Sequence, residues 1–116
     1  MSDASSPQAR YAEALRHGLM TGPGHTSSEL RRAVEARAGL LSGRPAAASL
    51  PELPPRVAAY VEKIARHAYR VTDEDIEGLR RDGYSEDAVF EITLSAALGA
   101  GLARLERGMA ALRGAV

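Results

Sequence analysis

Apolar residues recur along this chain at intervals of three and four, and no stretch shows the strict alternation of a half-buried strand. The pattern therefore predicts an all-α fold of about five helices. Tyr11, Leu15 and Leu19, spaced by four, mark a first helix from Pro7 to about Met20, with Ser6 as its N-cap and residues 1–6 disordered before it. The segment TGPGHTSS reads as a loop. Thr26, followed three residues later by Glu29, predicts a capping box that opens a second helix. Leu30, Val34 and Leu41 are its apolar stripe, and Gly43 sits at its C-terminal cap.

Four prolines between Gly43 and Pro55 exclude helix there and predict an extended connector anchored by Leu50 and Leu53. A third helix opens at Pro55 with the stripe Val57, Val61, Ile64, Ala68 and Val71. Thr72 then caps a short fourth helix, with Asp75 reaching back, Val71 and Ile76 as a hydrophobic staple, and Gly83 ending it. Ser85 caps a fifth helix, with Glu86 and Asp87 in its first turn and Tyr84 stapled to Val89. That helix extends from Glu86 to about Arg113, roughly 40 Å at 1.5 Å per residue, unless it breaks at Gly99-Ala100-Gly101. We expect it to be continuous. Leu98, Leu102, Leu105, Met109 and Leu112 form a short heptad seam. Ala96, Ala97, Gly99, Ala100, Gly101 and Ala103 let another helix approach.

Composition changes this picture in one respect. Of the 116 residues, 22 are alanine, with four Tyr, one Phe and no Trp. Such side chains bury little area each, so a single domain of this kind is expected to complete its core in a homo-oligomer built on the 86–113 helix. The formal net charge is zero, 15 basic against 15 acidic residues, which argues against nucleic acid or an anionic membrane as an obligatory partner. The start MSDASSPQAR carries no apolar leader and no uninterrupted apolar run reaches the roughly 18 residues of a span, so a cytoplasmic location is expected. Cysteine is absent, which excludes disulfides, thiolate metal sites and thiol catalysis.

The run VAAYVEKIARHAYRVTDEDIEGLRRDGYSEDAVFEITLSAALGAGLARLERGMAAL resembles the C-terminal half of the AhpD-like / carboxymuconolactone decarboxylase superfamily. The matching features are a helix, then VTDEDIEGLRRDGYSEDAVFE, then a long helix rich in small residues, over about residues 55–112. The resemblance implies an all-helical subunit that assembles in rings. In redox members it also implies a motif Glu-x-x-Cys-x-x-Cys-x-x-x-His, whose thiolate pair reduces peroxides. The nearest spacing here is Glu62, Ala65, Ala68 and Thr72, in the wrong helix for the family register. Neither cysteine is present, so no catalytic residue carries over.

Among titratable residues, His67 is the strongest candidate general base, with Glu62 or Tyr60 to orient it or donate to it. Glu91, one turn into the long helix, reads either as a carboxylate in a subunit cleft or as the partner of Arg66 or Arg70. His17 and His25 share no metal-ligand spacing with His67, and neither metal nor cofactor is expected. TGPGH lacks the spacing and preceding strand of a phosphate loop. Tyr69 and Tyr84 read as core or staple residues. Two functions fit: a small-molecule-binding or structural homo-oligomer, and a non-redox proton-transfer enzyme or lyase using His67 and a carboxylate. A partner subunit for a cysteine-bearing paralogue is the third.

Overall fold

The computed structural model describes residues 7–45 and 49–114. They form five α-helices: α1 (Pro7–Thr21), α2 (Ser28–Leu41), α3 (Pro55–His67), α4 (Asp73–Arg81) and α5 (Glu86–Leu112), with a 3-10 turn at Ala68–Arg70. No strand occurs among the described residues. Ser6 as a cap, the disorder expected of residues 1–6, and residues 46–48 of the connector lie outside them.

The capping signals around α4 and α5 are realised. Thr72 accepts from the Asp75 backbone N–H while the Asp75 carboxylate accepts from the Thr72 N–H. The Asp75 carboxyl lies below its usual value, held there first by that backbone bond and then by Lys63 at 3.0 Å. Gly83 takes a positive φ of 99°, and Tyr84 N–H returns to the Leu79 carbonyl at 3.2 Å, closing the left-handed helix end. Ser85 Oγ then accepts from Ala88 N–H at 3.1 Å. Gly43 ends α2 in the same way, with φ 106° and Arg44 N–H bonded to the Gly39 carbonyl.

Three expectations are corrected. The cap of α2 is Ser27, whose side chain accepts from Leu30 N–H, because the Thr26 hydroxyl is engaged by Glu91 instead. The stripe of α3 stops early: the helix tightens after His67, which leaves Ala68 exposed, and Ala65 takes the buried position. Tyr69, read as a core or staple residue, is also exposed.

α5 runs unbroken through Gly99-Ala100-Gly101 for 27 residues, about 40 Å at 1.5 Å per residue, in a molecule whose long dimension is 48 Å. Its inward face carries Val89, Ile92, Ala96 and Ala100, packed on Val34 and Ala38 of α2, Val57, Tyr60 and Val61 of α3, and Leu79 of α4. Gly99 is where α2 comes closest: a Cβ there would collide with the Glu35 carbonyl oxygen. By length and composition alone α5 is apolar enough to cross a membrane, with mean hydropathy 1.4 in its most apolar window, 44% of which is buried inside the fold.

α1 is the outlier. Its one fully buried side chain is Met20, and Tyr11 and Leu15, two of the three residues whose spacing marked the helix, are exposed. Gly24 at its far end lies beside Glu91, and Arg16 reaches Glu35 next to Gly99. The helix therefore runs back along α5 and opens near Met109 and Arg113.

Candidate functional site

Two turns of α1 and the distal half of α5 bound a groove of about 1040 Å³. The apolar side chains that α5 sends into it are Leu102, Leu105 and Met109, and α1 faces them with alanines, including Ala9 and Ala12. Small residues on one wall and long ones on the other leave the two helices apart, because alanine cannot fill the gap. Leu102, Leu105 and Met109 of the expected seam therefore line the groove and do not pack in the core, while Leu112 lies exposed beyond it.

Charge closes the inner end of the groove. Glu35, 1% exposed, is the only fully buried carboxylate among the described residues. Arg16 grips it with Nε at 3.1 Å and Nη2 at 3.2 Å, and Arg44 Nη1 donates to it at 2.9 Å. Burial pushes the Glu35 carboxyl up, but the hydrogen bonds and charges of the two guanidiniums outweigh burial and hold it below its usual value. The same bond raises Arg16 further above its already high value. Glu35 stays ionised and fixes both guanidiniums at the groove's edge. Their outer sides meet exposed carboxylates, Arg44 Nη2 with Glu106 at 3.0 Å and Arg16 Nη1 with Glu13 at 3.8 Å. Gly39, one turn after Glu35, makes this possible, because a Cβ there would press on the Arg44 guanidinium.

The residues singled out from sequence are not gathered in one place. His67 is exposed and sits edge-on to Tyr69, ring centroids 5.9 Å apart, outside the groove lining. Glu62 is exposed and pairs with Arg66 at 3.4 Å. Tyr60 is buried and shares a 2.6 Å hydrogen bond with Thr93 Oγ1. Glu91 pairs with neither Arg66 nor Arg70. It accepts from His25 N–H (2.7 Å), Thr26 N–H (2.9 Å) and Thr26 Oγ1 (2.6 Å), with Arg31 Nη1 at 3.6 Å. Burial pushes its carboxyl up, and these donors together bring it below the usual range. Glu91 is thus the clamp on the α1–α2 loop. His17 lines the groove, whereas His25 lies 3.7 Å from Asp87. No group of His, Asp or Glu among the described residues is arranged to hold a metal ion.

Sequence reasoning missed Arg16, Glu35 and Arg44. The available signal was weak: Glu35 flanks the stripe residue Val34, and Gly39 stands one turn on, an unusual residue for a helix interior. Comparison with family models, with curated proteins and with solved structures finds no match to this chain.

Proposed function

We propose that this chain is a small-molecule-binding helical module without thiol chemistry, and that its ligand is a linear carboxylate with an apolar tail, held in the α1/α5 groove. The observation that carries this reading is the pairing of an apolar trough with two guanidiniums fixed by a buried carboxylate. The volume is at the upper end of the roughly 300–1,000 Å³ typical of ligand sites. Arg10, Arg16, Arg44 and Arg113 surround it with Glu13, Glu106 and the buried Glu35, four cations against three carboxylates, so its charge favours an anion. The acidic head would take the places of Glu13 and Glu106 on Arg16 and Arg44. Exposed ion pairs of that kind are each worth about 0–1 kcal/mol and are readily exchanged for a ligand's carboxylate, whereas the buried Glu35 contacts stay in place. The tail would lie along Leu102, Leu105 and Met109.

The resemblance of residues 55–112 to the AhpD-like proteins supports a helical scaffold and contributes no site residue. The proton-transfer alternative rested on His67, and its exposed position lends that reading no support. Titration with dansyl-labelled undecanoic acid tests the proposal. Binding should be saturable in the wild type and weakened about tenfold or more by Met109→Glu, which places a like charge in the tail's path. Failure of the wild type to bind, or equal binding by the variant, would overturn it.

A further inference from the structure

The outward face of α5 carries a second feature, which borders the groove and shares only Leu105 with it. Phe90, Leu94, Ala97, Gly101, Leu105, Gly108 and Leu112 are all exposed. Their spacing is 4, 3, 4, 4, 3 and 4, so at 3.6 residues per turn they fall within a sector about 80° wide along roughly 33 Å of helix. No charged residue interrupts them. The spacing is also palindromic about Gly101. When two copies cross antiparallel at that residue, Leu94 faces Gly108, Ala97 faces Leu105, Phe90 faces Leu112, and Gly101 faces itself. Large side chains meet small ones, apart from the terminal pair, where two large residues close each end.

The glycines decide between self-pairing and an idle surface. Gly99 is required within the chain by the approach of α2. Gly101 and Gly108 are not, since a Cβ at either would meet nothing. Each weakens the helix interior relative to alanine, with no return inside the subunit. On the open stripe they supply the holes for the partner's Leu94 and the crossing point itself.

We infer that α5 pairs antiparallel with α5 of a second copy of this chain, along the Phe90–Leu112 stripe with Gly101 on the two-fold axis. Exposures of 64% for Phe90, 42% for Leu94, 46% for Leu105 and 83% for Leu112 mark the surface that the partner covers. These four side chains present roughly 400 Å² per chain, so two copies with their smaller residues and flanks reach the roughly 1,000 Å² expected of a specific interface. An isologous contact of this kind closes on itself and gives a dimer rather than a filament. It also gives the apolar half of α5 that the fold leaves uncovered a partner other than a membrane.

The absence of cysteine makes the test direct. Gly101→Cys, oxidised, should give a covalent dimer of twice the 12.3 kDa chain mass as the main product. Phe90→Cys alone should remain uncrosslinked, but should crosslink when mixed with Leu112→Cys. Gly101→Glu should raise the dimer dissociation constant at least about 100-fold with helicity unchanged, since that position touches nothing in its own subunit. Self-crosslinking of Phe90→Cys would overturn the inference in favour of a parallel pair. A wild type that stays monomeric by native mass spectrometry would also overturn it, and so would one that floats as a monomer with phosphatidylcholine vesicles.

Discussion

Gly99 and Gly101 stand two residues apart on one helix and serve opposite faces of it. Gly99 looks inward, where the backbone of α2 leaves no room for a Cβ. Gly101 looks outward into open space. The same contrast separates the small residues around them. Ala96, Ala100 and Ala103 are buried against this chain's own helices, while Ala97 lies exposed beside Gly101. A run of small residues thus holds two kinds of information, one about how the subunit packs and one about what meets it. Only the three-dimensional direction of each residue tells them apart.

The strongest way to break this comparison is to fill both glycines in turn. Gly99→Leu forces side-chain atoms into the Glu35 backbone and should destabilise the fold by about 3 kcal/mol or more. Gly101→Ala, measured in dilute protein where self-pairing is absent, should instead stabilise it by about 0.5–1 kcal/mol. Urea unfolding of the two variants checks both the sizes and the opposite signs.

Glu35→Ala comes next. Removing this buried carboxylate strands two guanidiniums and should cost about 3–5 kcal/mol. Glu35 titrates below its reference value of 4.5, so its contribution is complete above that pH. The contribution is lost as pH falls through the lower folded value, and the variant should show a flatter thermal-melt profile over that acid range.

Glu91→Ala should cost less, about 1–3 kcal/mol, because its partners are backbone and hydroxyl donors that water reaches once the loop opens. Amide exchange should accelerate at His25 and Thr26 and not at Val34. Thr72→Ala removes half of a capping box and should cost about 1 kcal/mol, read from the chemical-denaturation midpoint. The smallest effect belongs to His67→Ala, within about 0.5 kcal/mol of wild type, since its ring is exposed and its neighbour Tyr69 is too. A larger loss would place His67 in an interaction beyond the subunit.

Legibility was uneven for physical reasons. The helix ends around α4 and α5 were readable because a cap joins residues two to five apart, so the stretch VTDEDIEGLRRDGYSEDAVFE contains both partners of each of its capping bonds. The cap of α2 was misplaced by one residue for the complementary reason. Thr26 and Ser27 are both competent caps, and what removed Thr26 was a carboxylate 65 positions away. The spacing of Tyr11, Leu15 and Leu19 marked α1 as a helix and left its orientation open, because periodicity reports that a helix has an apolar face, not which way that face turns.

What the sequence by itself determined, then, is the number and type of the helices, the caps around α4 and α5, the continuity of α5 and the absence of thiol chemistry. Each depends on local bonding or on residue type alone. The tertiary structure decided which carboxylate would be buried, which arginines would hold it, that α1 would stand off from α5 to leave a groove, and which face of α5 would remain open. Those outcomes depend on side chains from Arg16 to Glu106 meeting across the fold, and no interval along the chain encodes that meeting.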